Sequence, residues 1–269
     1  MSIIQKRGEM KKLINWKVFF ILLAAVTLAS IAVLPYAIEL QSMASAPVTF
    51  SKMLVAQLTQ GVPFVAVLIF LGMILMKRIG LSAPILDAVT KGERKSAVGT
   101  LRRVLPISVV LGVIATLLMI GLGFALQPLL VAELGDKAVA LRITGPQPAV
   151  WKGFLASFSG GIAEEIQLRL FFMSLLAWLG SFISRTSEGK PSNAIFWIAN
   201  ILASVLFGVG HFQSVVLFVP LTALVMFRTL LLNAIIGIVC GWLYQKRGLE
   251  SAMISHFSAD IVLHVLLAL

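Results

Sequence analysis

The sequence predicts an all-α fold, a polytopic helical membrane protein with about eight transmembrane helices. Three observations carry that prediction. Of 269 residues, 59% are apolar and 12% charged, with a mean hydropathy of +1.00. Soluble globular domains hold about 45–50% apolar and about 25% charged residues. Apolar runs approaching the roughly 20 residues that cross a bilayer recur along the chain. The short alternating segments of a transmembrane barrel do not occur.

The elements follow in order. The first span runs from about Trp16 to Ala37, with Trp16 at the interface and Glu39 marking the far end. Its basic start and apolar stretch resemble a signal peptide, but the stretch is too long for a signal core and reads as a retained span. A second span covers about Leu54 to Met76, bent near Gly61 and Pro63 and stopped by Lys77-Arg78. Residues 79–103 are polar and include a candidate short amphipathic helix on the membrane surface. The third span is Pro106 to Leu126, closed by Gln127-Pro128.

A mixed loop over residues 127–150 separates an N-terminal region, 1–150, without buried chemistry from a C-terminal region, 151–269, rich in it. Helices then follow at about Trp151–Phe182 and Ala194–Gly210. The stretch Val215–Tyr244 has Arg228 in its middle and reads as two shorter helices meeting there. The last helix runs from about Ser251 to Leu267.

The net charge of +11 is topological. Lys6, Arg7, Lys11, Lys12 and Lys17, and then the stretch from Lys77 to Arg103, are cytoplasmic flanks under the positive-inside rule. With eight spans that rule is strained at Lys246-Arg247; fusing 215–244 into one span repairs it but buries Arg228. No basic stripe interleaved with stacking aromatics is present, which argues against a nucleic-acid partner. Cys240 is the lone cysteine, so no intrachain disulfide forms, and its apolar run makes it a small buried hydrophobe.

Chemistry concentrates in three polar clusters. They are Glu164-Glu165-x-x-x-Arg169, Phe207-x-x-x-His211 and His256-x-x-x-Asp260. Ionisable groups in hydrocarbon are costly, so each marks a candidate site, and together they suggest one site shared by several helices. On a helix Glu165 and Arg169 share a face and pair. Glu164 points about 100° away, unpaired and available as a base. A plain ion pair locking two helices competes with that reading, and two adjacent glutamates weaken it. His211 alone would pass for an interfacial histidine. His256, Asp260 and His264 line one stripe, suited to a proton relay, a metal site, an oxyanion clamp or a hydrogen-bonded seam. The zinc-protease signature His-Glu-x-x-His, the Gly-x-Ser-x-Gly elbow and an aspartate pair are all missing.

In this order the clusters resemble the CPBP family of intramembrane proteases, which includes the type II CAAX prenyl endopeptidases and the bacterial Abi and bacteriocin-processing relatives. The resemblance covers about residues 150–266 and extends to Gly248-Leu249-Glu250-Ser251-Ala252-Met253-Ile254. It implies an endopeptidase in which Glu164 and His211 activate a water, His256 and Asp260 hold the oxyanion, and Glu165 with Arg169 supports the site. The prenyl endopeptidases carry Asn where this chain has Asp260. An ionised aspartate cannot donate to an oxyanion, so Asp260 holds a proton, orients His256 or binds metal. The family is often labelled metalloprotease; the set Glu164, His211, His256 and Asp260 fits zinc or no metal alike. The expected partners are the lipid bilayer and a peptide or membrane-protein substrate, in a bacterial cell membrane. A non-catalytic immunity or partner-binding protein on the same scaffold is the alternative. A proton-coupled transporter is a third reading, disfavoured because no inverted repeat is visible.

Overall fold

A computed structural model describes residues 14–44, 46–142 and 147–269. Lys6, Arg7, Lys11 and Lys12, named above as flank residues, and residues 143–146 of the mixed loop lie outside the described residues. Among the described residues the architecture is helical throughout, with one isolated antiparallel bridge, Arg185 to Pro191, in a turn.

Helix α1 (Trp16–Ala32) is capped by Asn15, whose side chain accepts from the Lys17 and Val18 amides. It breaks at Val33, and Pro35 sits in the first turn of α2 (Leu34–Met43), a favoured proline position. Helix α3 (Phe50–Ala56) runs through a π turn (Gln57–Gly61) into α4 (Val62–Arg78), with Pro63 just after the turn. The short helix expected in the polar segment is α5 (Pro84–Thr90). The third span is longer than the hydropathy implied. Helix α6 runs from Arg94 to Leu134, through Pro106 and Pro128, and a 3₁₀ turn (Gly135–Leu141) folds back beside it. Gln127, read as a terminator, donates from Nε2 to the Ala138 carbonyl at 3.2 Å and ties that turn down.

Helix α7 (Val150–Phe158) passes into π-helical segments Ser159–Glu164 and Ile166–Met173 and ends as α8 (Ser174–Gly180). Helix α9 (Asn193–Gly210) is followed by the single turn α10 (Phe212–Val215). The pair of short helices expected over 215–244 is not formed. One helix, α11 (Ala223–Arg247), starts at the Thr222 cap, which accepts from the Val225 amide, and carries Arg228 in its second turn. The guanidinium is held there without a break, because Nη2 donates to the Leu141 carbonyl at 2.6 Å, although Nε is buried without a partner. Gly248, at φ +99°, makes a one-residue turn into α12 (Leu249–Ile261), which ends in a π turn (Val262–Leu266).

Among the described residues, five helical stretches are long and apolar enough to cross a membrane: Trp16–Met43, Phe50–Arg78, Arg94–Leu141, Asn193–Val215 and Ala223–Arg247. Helices α6, α11 and α12 pack together at the centre, with α9 against α11. Lipid gives helices no hydrophobic reason to associate, so close packing at small residues does that work. A Cβ on Gly112 would meet the Ser255 backbone, and one on Gly241 the Asn200 side chain. Ser108 on α6 meets Ser251 on α12 at 2.7 Å between hydroxyl oxygens.

Candidate active site

The glutamate pair lies where the helix after α7 is widest. π turns are rare and often mark functional sites, and here two segments flank Glu165. The two carboxylates diverge as expected, although the turn is π rather than α. Glu165 is fully buried, while the Glu164 side chain is 36% exposed.

Glu165 is the hub. Its Oε2 lies 3.4 Å from Arg169 Nε, and its Oε1 accepts from His256 Nδ1 at 2.8 Å. Arg169, also fully buried, donates from Nη2 to the Gly237 carbonyl at 2.8 Å and so binds α11 to the glutamate helix. With Nδ1 committed to Glu165, the other ring nitrogen of His256 faces Glu164 at 3.6 Å and Asp260 at 3.8 Å. The close approach of α12 needs glycine. A Cβ on Gly160 would strike the Asp260 carboxylate and come within 3.3 Å of His256 Nε2, and one on Gly161 would press on Phe257.

His211 caps the end of α9. Its Nδ1 lies 3.0 Å from the Phe207 carbonyl, and only an N–H can make that bond, so in the neutral ring Nε2 keeps its lone pair. The Phe207 ring stands edge-on to His211 at 4.6 Å and to His256 at 5.3 Å. Phe207 thus spaces the two imidazoles.

A cavity of about 420 Å³ is lined by Glu164, Phe207, His211, His256 and Asp260 together. A second, of about 450 Å³, opens between the glutamate helix and the end of α9, and shares Glu164, Phe207, His211 and Ser214 with the first. Glu165 and Arg169 line neither and stand behind the cavity wall. All six residues singled out from the sequence therefore fall in one neighbourhood, four facing the cavity and two supporting it.

The N-terminal region is not free of buried chemistry, contrary to expectation. Tyr36 of α2 and Met119 of α6 line the first cavity, and the Tyr36 hydroxyl lies 3.3 Å from His264 Nδ1. Asn233 of α11 also lines it. Tyr36 stands in a mostly apolar stretch, and polar residues in such runs are the one signal that would have found these two.

The metal candidates Glu164, His211, His256 and Asp260 do not close into a tight ligand set. Among the described residues, the group whose ligand atoms lie within 4.8 Å of one another is Glu165, Cys240 and His256. That group fits zinc poorly. The Glu165 and His256 atoms are already bonded to each other, and the Arg169 cation occupies the remaining side of the carboxylate. A bound cation would have to displace both.

Residues 146–262 match the family model described as type II CAAX prenyl endopeptidase Rce1-like. The matched stretch holds all three polar clusters and excludes Tyr36 and His264. No curated protein and no solved structure matches the chain.

Proposed function

The stretch 146–262 is Rce1-like, and from that premise we propose that this chain is an intramembrane endopeptidase. It hydrolyses a peptide bond of a membrane-associated protein or peptide with a water activated by Glu164 and His211. The observation that carries the reading is the shared cavity, where Glu164, His211, His256 and Asp260 meet while Glu165 and Arg169 stand behind them.

Glu164 takes a proton from the water as the oxygen attacks the scissile carbonyl, and later passes it to the leaving amine. His211, held by the Phe207 carbonyl, accepts a hydrogen bond from the same water at Nε2 and orients it. The oxyanion forms on the side of His256 and Asp260. There His256 donates from Nε2 when both ring nitrogens carry protons, and Asp260 donates when it holds its own. Each such donor is worth about 2.7–4 kcal/mol to the transition state. Glu165 fixes the His256 ring through Nδ1, and Arg169 balances the Glu165 charge. No step passes through a metal.

Seven helical stretches cross the bilayer in this reading, the five named above together with 150–180 and 249–266. The division near residue 150 then separates an N-terminal transmembrane region from the protease core, and the membrane is that of a bacterial cell. The test is cleavage of a peptide library by the purified protein in detergent, with metal analysis of the same sample. Product formation by wild type and none by Glu164→Gln is the expected result.

A further inference from the structure

We propose that Tyr36 and His264 form a substrate subsite at the end of the catalytic cavity, where the pair donates one hydrogen bond to an acceptor group on the bound chain. The inference rests on the endopeptidase reading and extends it to two residues outside the matched stretch.

Donor counting is the first argument. The tyrosine hydroxyl carries one proton and a neutral imidazole carries one. The two residues share a single contact, hydroxyl to Nδ1 at 3.3 Å, with their rings edge-on at 5.3 Å. If the hydroxyl donates, Nε2–H of His264 is left over. If Nδ1–H donates, the hydroxyl proton is left over. Either way one donor remains, and among the described residues no protein acceptor takes it. Both side chains line the cavity that holds Glu164 and Asp260, so the spare donor belongs to whatever enters it. A site built to pair that donor with a ligand acceptor rejects ligands that lack the acceptor.

Placement is the second argument. His264 continues the stripe of His256 and Asp260, two turns beyond His256. Eight residues span about 12 Å at the helical rise, and an extended chain covers about 3.3 Å per residue. The acceptor therefore lies about three to four residues from the scissile bond.

The third argument is rigidity. Tyr36 sits on α2, and that helix is anchored across the cavity by Glu39. The Glu39 carboxylate pairs with Lys152 Nζ at 2.8 Å and accepts from the Ala149 amide at 3.2 Å. A subsite needs its groups on elements held in place.

Two acceptors share this chemistry, a polar side chain and the carboxylate at a chain terminus. A randomised octapeptide library, with free and with amidated C termini, tests both. Products from wild type, Tyr36→Phe, His264→Leu and the double variant are sequenced by mass spectrometry. The same libraries are captured on Glu164→Gln protein with and without the Tyr36→Phe/His264→Leu pair, which reads binding whether or not cleavage occurs. The expected result is an acceptor preference about three to four residues from the cut. Each single variant still holds one donor and keeps the preference; the double variant holds none, and there it falls about tenfold while peptides lacking the acceptor behave as with wild type. Preference in the free-acid library alone assigns the terminal carboxylate; preference in both assigns a side chain. Uniform loss over all peptides, or an unchanged profile in the double variant, overturns the subsite. Capture that depends on the pair without any cleavage by wild type leaves the subsite standing and removes the endopeptidase reading. Should the double variant fail to fold, Tyr36→Phe/His264→Phe, which keeps both rings, decides in its place.

Discussion

His256 and Glu165 are 91 positions apart, on different helices, and meet at 2.8 Å with both side chains buried. This contact joins the first and third polar clusters, and Arg169 extends it to the Gly237 carbonyl of α11. The chain Arg169–Glu165–His256 is therefore a bond between helices as well as the support of the proposed site. Removing one member leaves the others buried without a partner, at a cost of about 3–5 kcal/mol. Glu165→Gln and Arg169→Met should each lower the unfolding midpoint in detergent and lower activity with it. Unfolding followed by intrinsic tryptophan fluorescence is the check, and an unchanged midpoint in both would contradict the pairing.

Glu164 behaves differently because it faces the cavity and stands outside that chain. Glu164→Gln keeps the shape and removes the base. Cleavage should fall by at least about a hundredfold, the lower end of what a positioned general base supplies, while the unfolding midpoint stays near wild type. His211→Ala should do the same. Turnover by Glu164→Gln at the wild-type rate would eliminate the proposed base.

Gly160 gives a third expectation. A methyl there would collide with Asp260 and crowd His256 Nε2, so Gly160→Ala should abolish cleavage by displacing the oxyanion side of the site. Gly99→Ala is the control. Nothing lies within 4 Å of the added Cβ, and alanine in a helix is favoured over glycine by about 0.5–1 kcal/mol. It should be as active as wild type and slightly more stable. Equal activity of both variants in a peptide-cleavage assay would show that α12 yields easily.

The helices and the spacing of the site residues were legible because both are local. Hydropathy finds apolar runs, and Glu165–Arg169, Phe207–His211 and His256–Asp260 each sit four residues apart on one helix. What stayed hidden depends on packing between distant segments. Arg228 argued for a broken helix only while its partner was unknown, and the Leu141 carbonyl, 87 positions away, removes the reason for the break. The Tyr36–His264 contact spans 228 positions, and no spacing rule reaches that far. The π turns around Glu165 also leave no trace in an apolar pattern.

The single α11 changes the topology in a way that labelling can read. Asn15 Nδ2 donates to Thr90 Oγ1 at 2.9 Å, and the Leu249 amide donates to the Ser82 carbonyl at 3.1 Å. These contacts gather Lys17, Lys77, Arg78, Lys91 and Lys246-Arg247 at one end of the bundle, as the positive-inside rule requires. Cysteines at Lys91, Ser187 and Lys246 should react with an impermeant maleimide from one side of a vesicle. A cysteine at Asp136 should react from the other. Native Cys240 is buried and gives little background. Labelling of the Lys246 and Asp136 positions from the same side would restore an additional crossing.

Asp260 decides between two kinds of chemistry. As an oxyanion donor it must hold a proton, and Asn donates in its place at any pH. Asp260→Asn should then keep much of the wild-type activity, with no metal in either protein. As a metal ligand or an ionised partner of His256 it would not tolerate the change, since His256 Nε2, 3.8 Å away, would lose a negative neighbour. Loss of an outer-shell partner alone typically weakens metal binding about 10–100-fold. Activity and zinc content of Asp260→Asn beside wild type, each before and after chelator treatment, separate the cases. The poor fit of Glu165, Cys240 and His256 to a cation, with Arg169 already at the carboxylate, favours retained activity and indifference to chelation. Joint loss of zinc and cleavage in the variant would instead make Asp260 part of a metal site and replace the glutamate–water mechanism.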